Sequence, residues 1–132
     1  MEDLDALSKL DGHISKTELS DIIERQRVII ALEGGHILGW LRYGLFWDNL
    51  PFMNMLYIID GKRGNGLGTA LCEFWENEMK VLGYSLVLTS TQADERGQFF
   101  YRKRGYKDCG SLILPGEVTE IIMYKKLENS NG

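Results

Sequence analysis
The spacing of apolar residues changes several times along the chain, and each change marks an element. Leu4, Leu7 and Leu10 recur at helical spacing and predict a helix over residues 3–10. Ser15 and Glu18 form a capping box, with Ile14 and Leu19 as its hydrophobic staple, so a second helix opens there and runs to about Arg25. Residues 27–33 read as a strand, Gly34-Gly35 as a hairpin turn and residues 36–46 as a second strand. Residues 47–51 form a loop that leads to a central strand at 53–60.

The pattern is densest over residues 56–82. Leu56, Tyr57, Ile58 and Ile59 make a buried run of strand length, ended by Asp60 and Gly61. From Leu67 the apolar positions Leu67, Leu71, Phe74, Trp75 and Leu82 fall on one helical face, and Gly83 stops the helix. Residues 84–91 follow as a strand, and a strand–helix–strand of this length implies a right-handed crossover with parallel pairing. A short helix at 95–104 ends at Gly105. Residues 106–114 and 117–127 flank Pro115-Gly116, a pair suited to a type II turn, and form an antiparallel hairpin. The sum is an α/β (α+β) domain, mixed in strand direction, with residues 1–132 as one unit.

Between the central strand and the long helix lie Lys62, Arg63, Gly64, Asn65, Gly66, Leu67 and Gly68. A strand that enters a helix through glycines leaves backbone N–H groups pointing at one spot, and the helix terminus adds about half a positive charge. With Lys62 and Arg63 beside it, the turn reads as a phosphate or pyrophosphate cradle; the plain alternative is a tight turn with solvated basic residues. A Walker A loop is excluded, because no lysine follows Gly66. A dinucleotide fingerprint is excluded too: the third glycine is replaced by Leu71, and the next strand ends in Thr89-Ser90-Thr91 without a ribose-binding acid.

Composition narrows the ligand. The chain of 132 residues carries a net charge of −4, which argues against nucleic acid as a partner. Residues 94–107 nevertheless hold a local excess of three positive charges, and the strand-to-helix turn one more, leaving −8 on the rest. A basic pocket on an acidic protein suits a small anion. Two cysteines without a CxxC spacing, no secretory signal and no long apolar span point to the reducing cytoplasm and to no membrane partner. Cys72 reads as packing or surface. His13 and His36 stand alone in turn-like contexts, so no metal is expected.

Arg63-x-x-Gly66-x-Gly68, placed after a strand and at a helix start, resembles the acyl-CoA turn of the GNAT-type N-acetyltransferase superfamily. Gly97-x3-Tyr101-x3-Gly105-Tyr106 is similar to that superfamily's second signature, and one helix and one strand separate the two as they should. The resemblance implies a mixed, mostly antiparallel sheet with a central parallel pair and helices on both faces. It implies acetyl-CoA as co-substrate and direct attack by an amine in a ternary complex. By the same resemblance Ile58, Ile59 and Asp60 hold the pantetheine arm, while Lys62, Arg63, Gly64, Asn65, Gly66, Leu67 and Gly68 hold the pyrophosphate, with Thr69 a further cofactor contact. Tyr101 is the general acid for the departing thiolate, and a backbone N–H near Ile58 or Ile59 is the oxyanion donor.

The chain departs from the superfamily's pattern in three places. Members usually open with a strand, and here the first helix comes almost at once, so that strand is expected to be missing. Asp94 stands where an asparagine usually meets the pantetheine arm. The usual glutamate on the central strand is absent, which leaves Asp60, Glu33, Asp48 or a water chain as general base. A non-catalytic acyl-CoA-binding or regulatory module with the same fold is the rival reading. Trp40, Tyr43, Phe46, Trp47 and Phe52 cluster around the second strand, half of them as core. Phe46, Trp47 and Asp48 would wall the acceptor pocket, Asp48 attracting a cationic amine. The acceptor is a small-molecule or peptide amine, and a homodimer is compatible with the sequence.

Overall fold
The structure, a computed structural model, describes residues 2–127, and at Glu2 the backbone alone. Its elements in chain order are α1 (Glu2–Leu10), α2 (Lys16–Glu24), β1 (Val28–Glu33), β2 (His36–Phe46), β3 (Leu50–Ile58), α3 (Leu67–Val81), β4 (Leu86–Gln92), α4 (Gly97–Lys103), β5 (Lys107–Leu112) and β6 (Glu120–Lys126). The six strands form one sheet in the order β1-β2-β3-β4-β6-β5. Of the strand pairs described, only β3–β4 is parallel. The mixed sheet with a central parallel pair is the one expected.

The chain divides into two compact units, Met1–Gly44 with Met55–Trp75, and Leu45–Asn54 with Glu76–Gly132. In the first, Leu7, Leu19 and Trp40 make a buried core, with Leu4, Ile14, Ile23, Val28, Ile30, Ile37, Met55 and Ile59 packed against it. Leu10, the third residue of the predicted α1 face, is instead about half exposed. The Ser15 cap is present, its hydroxyl accepting from the Glu18 N–H at 3.2 Å. Gly34 and Gly35 both take positive φ (57° and 80°), the I′ geometry whose twist suits a two-residue hairpin, and set Glu33 opposite His36.

In the second unit β4 pairs antiparallel with β6 from Leu86↔Lys126 to Gln92↔Glu120, and β5 pairs with β6 on the outer side. The hairpin closes through Pro115-Gly116 as expected: Glu117 N–H donates to Leu114 O at 3.1 Å and Gly116 has φ +76°. Its two strands are shorter than the sequence pattern suggested. The polar strand β5 is exposed along its whole length and carries Lys107 and Asp108, charges suited to a sheet edge. β6, with Met123 fully buried, takes the inner place.

Three expectations are corrected. The buried stripe of α3 is Leu71, Cys72, Trp75, Glu76 and Met79, whereas Phe74 and Leu82 are exposed. Leu71 and Trp75 belong to the predicted face; Met79 extends their i, i+4, i+8 row, and Cys72 with the charged Glu76 forms the buried row beside it. β3 begins three residues earlier than predicted, at Leu50, and its buried positions are Pro51 and Met53; Leu56 and Ile58 are half-buried and Tyr57 is exposed. The connection before it is a tight turn, closed by Asn49 N–H to Phe46 O at 3.2 Å, with Trp47 and Asp48 at φ 55° and 63°. Asp48 is a residue type that tolerates positive φ, whereas Trp47 is not, so the expected loop was legible but its tight form was not.

Candidate active site
The first unit holds the whole predicted cofactor stretch from Ile58 to Thr69. Ile59 N–H donates to Leu38 O of β2 at 2.9 Å, continuing the antiparallel ladder by one residue. Successive residues of a strand present their N–H and C=O groups to opposite edges. Ile58 therefore aims its N–H at the edge away from β2, and its carbonyl on that edge accepts from Arg63 Nε at 3.0 Å. Of the two positions expected to offer an oxyanion donor, Ile59 is already committed to β2 and Ile58 is the one left.

Beyond Ile58 the chain turns through Gly61, Gly64 and Gly66 at φ 86°, 85° and 80°, with open space where a Cβ would stand. Side chains other than glycine would be strained there. The first backbone bond inside α3 is Ala70 N–H to Gly66 O at 3.0 Å, so the amides of Leu67 and Gly68 precede it, at the positive end of a 15-residue helix. Arg63 is not simply a free charge beside this turn. Its guanidinium lies 5.1 Å from the Tyr57 ring centroid and 3.5 Å from Asp60 Oδ1, which holds it against the strand end. A shallow groove of about 650 Å³ on the β2 side is lined by Glu33, His36, Leu38, Ile59 and Lys62 among others.

A buried polar cluster that the sequence did not announce supports this strand. Asp11, 1% exposed, accepts from Trp40 Nε1 at 3.1 Å and Arg42 Nε at 2.8 Å through Oδ2, and from His13 N–H at 3.1 Å through Oδ1. Burial raises its pKa; the hydrogen bonds from Arg42, His13 and Trp40 and the guanidinium charge outweigh that and hold the carboxyl below its ordinary value. The alternation of β2 does place Trp40 and Arg42 on one face, as expected. Trp40 stacks on Tyr57 at 5.1 Å, which carries the cluster to the residue under Arg63.

The second unit holds Tyr101, Asp94, Phe46, Trp47 and Asp48. Tyr101 is 8% exposed. Its carbonyl accepts from Tyr106 N–H at 3.1 Å, while Gly105 N–H donates to Arg102 O at 3.1 Å with Gly105 at φ +93°. This is a Schellman motif. It explains the spacing Tyr101-x3-Gly105-Tyr106: the glycine supplies the left-handed residue, and the two tyrosines are the flanking pair whose rings meet, at 5.5 Å and 63°. The other glycine of the signature has a different cause. A Cβ on Gly97 would stand 2.8 Å from Thr91 Oγ1, so the start of α4 approaches β4 too closely for a side chain. Gly97→Ala is expected to lower stability by about 1–3 kcal/mol, with Thr91→Ala restoring part of it, as read by denaturant unfolding.

Asp94 is exposed, in a loop that Gln98 ties down through Ala93 O at 2.8 Å and Glu95 O at 3.1 Å. Phe46 touches Trp47 and Phe52 at 4.8 and 6.2 Å, and Trp47 is 76% exposed. Trp40 and Tyr43 are the buried members of that aromatic group. Cys72 is buried packing, and Cys109 is unpaired and exposed. Among the described residues no group of three or more His, Cys, Asp or Glu side chains could hold a metal ion. No described helix is long and apolar enough to cross a membrane.

Residues 3–106 match the acetyltransferase (GNAT) family, and the chain belongs to that family. No curated protein matches it. Among solved structures it is similar to an acetyltransferase of the GNAT family from Bacillus cereus ATCC 10987, with TM-score 0.79 at 22% identity over 98% of this chain and 94% of that one. It is similar to the NatC complex bound to Gag peptide and CoA, with TM-score 0.79 at 13% identity over 95% and 91%. An aminoglycoside 6′-acetyltransferase type Ii gives TM-score 0.75 at 22% identity over 89% and 80%. At these identities the likeness is one of fold.

Proposed function
We propose that this protein transfers an acetyl group from acetyl-CoA to a primary amine by direct attack in a ternary complex. The observation that carries this reading is the end of β3. Ile59 is paired to β2, Ile58 offers N–H and C=O on the other edge, and the strand runs straight into a glycine turn at the start of α3. A thioester with an amide-bearing arm and a pyrophosphate needs that sequence of groups. Residues 58–60 are assigned to the pantetheine arm and Lys62 to Gly68 to the pyrophosphate, with Thr69 and Asp94 as further cofactor contacts.

The amine nitrogen attacks the thioester carbonyl, and the Ile58 N–H stabilises the oxyanion that develops. The tetrahedral intermediate gives its ammonium proton to water and collapses with loss of the CoA thiolate, which takes the Tyr101 proton; the tyrosinate is then reprotonated from solvent. Phe46, Trp47 and Asp48 face the acceptor, a small molecule or a peptide; proteins of the same fold are named for an aminoglycoside and for a complex with a peptide, and both classes stay in the screen. Two cysteines that form no disulfide suit the reducing cytoplasm.

The first test is the melting temperature with acetyl-CoA and CoA, with NAD and ATP as controls. Ligand at about 100 times its dissociation constant adds about 2.7 kcal/mol, several degrees for a domain of this size. A shift with the CoA compounds alone supports the reading and justifies an amine screen by thiol release; no shift sinks it. With an accepted amine, Tyr101→Phe is expected to lower kcat about 10²-fold while leaving acetyl-CoA affinity unchanged. Unchanged turnover would remove Tyr101 from the mechanism.

A further inference from the structure
Glu76 is a carboxylate on α3 that the transfer chemistry does not use, and it is 7% exposed. It accepts from the Tyr106 hydroxyl at 2.9 Å through Oε2 and from Lys125 Nζ at 2.7 Å through Oε1. The Lys125 ammonium also lies 5.7 Å from the Tyr106 ring centroid. Tyr106, 2% exposed, is the residue whose N–H and ring edge close the Schellman motif on Tyr101. Phe100 covers another side of the Tyr101 ring, at 5.2 Å and 84°.

Stability alone does not account for this arrangement. A buried ion pair replaced by apolar side chains of similar volume is often neutral or stabilising, and a phenylalanine at 106 would fill the same space. What the polar set adds is direction. A phenol bonded at its far end to a carboxylate that a lysine also holds cannot swing or slide, and Tyr101 rests edge-on against it.

We propose that Glu76 and Tyr106 are positioning residues for Tyr101: the hydroxyl–carboxylate bond fixes the Tyr106 ring, and that ring sets the direction of the Tyr101 phenol. The inference rests on Tyr101 being the general acid of the transfer. Lys125 holds the carboxylate and offsets its charge.

The test uses the full chain labelled with [13Cζ]tyrosine, the Tyr101 resonance being identified by its loss in Tyr101→Phe. Tyr106→Phe and Glu76→Leu should shift or broaden that resonance. Glu76→Gln, which keeps an oxygen able to accept from the Tyr106 hydroxyl, should leave it near its place. A role in stability alone would leave the resonance unmoved in every folded variant, and that result overturns the proposal; Glu76→Leu keeps the test decisive should Tyr106→Phe not fold. With an accepted amine, Tyr106→Phe should lower kcat about tenfold to a hundredfold with KM for acetyl-CoA unchanged. It should add no further loss in a Tyr101→Phe background, and full additivity there also overturns the proposal. Absence of any acetyl-CoA melting shift in the unmodified protein would sink the acetyltransferase reading instead, while the Tyr101 resonance still decides the positioning.

Discussion

Asp11→Ala is expected to destabilise the protein by about 3–5 kcal/mol, the usual penalty for removing one partner of a buried ion pair. Arg42 and the Trp40 indole would be left buried with their donors unmet, because Asp11 Oδ2 receives both. For a domain of this length the loss corresponds to a fall in melting temperature on the order of 10 °C. The effect has a pH signature. Since the Asp11 carboxyl is held below its ordinary value when folded, its contribution is fully present above the unfolded pKa of about 3.9 and is lost as pH falls through the lower, folded value. Urea unfolding across the acid range should therefore show the parent protein losing stability below about pH 4, and Asp11→Ala lacking that component. Equal slopes in the two proteins would mean that folding does not lower the pKa of this carboxyl. Because Trp40 stacks on Tyr57, the variant should also bind CoA more weakly.

Gly39→Ala is the second large effect. A Cβ there would stand 2.6 Å from Ile58 Cδ1 and 2.7 Å from the Tyr57 carbonyl oxygen. The side-chain contact can be relieved by rotation, but the backbone contact cannot, so β3 must move away from β2 at Tyr57 and Ile58, beside the proposed cofactor stretch. We expect a loss of about 1–3 kcal/mol in stability, and a fall in CoA affinity of about tenfold or more, each 1.4 kcal/mol of misplaced contact being a factor of ten. Isothermal titration with CoA reads the affinity. Ile58→Val in the Gly39→Ala background removes Cδ1 and should recover only part of it, since the carbonyl clash persists. Full recovery would show that the strand had not moved. Gly39 gave no signal in the sequence, because a lone glycine in an apolar strand looks the same whether it is tolerated or required.

The parts of the site that could be read in advance are those made by neighbours in sequence. The glycine turn, its place between a strand and a helix, and the Tyr101-x3-Gly105-Tyr106 spacing follow from local geometry. Positive φ, a helix start and a Schellman stop each need particular residues within a few positions. The hairpins at Gly34-Gly35 and Pro115-Gly116 were legible for the same reason. The loop at 47–51 was legible too, but not its tight form, since Trp47 does not prefer positive φ, and the predicted face of α3 missed Cys72, Met79 and the buried Glu76.

By itself, then, the sequence determined the order of elements and the mixed sheet, and its two motifs carried the resemblance to the family. The elements follow from periodicity and short-range backbone rules, and each motif is made by residues close in the chain. Tertiary structure decided what lies across the chain from each of these residues. It committed the Ile59 N–H to β2 and turned that of Ile58 to the other edge. It joined Asp11 to Trp40 and Arg42, residues 29 and 31 positions away. It brought Glu76 to Tyr106, 30 positions on, and it made Gly39 and Gly97 indispensable through the atoms opposite them. A polar residue's partner is fixed by which elements fold against each other, and no local pattern in the chain records that choice.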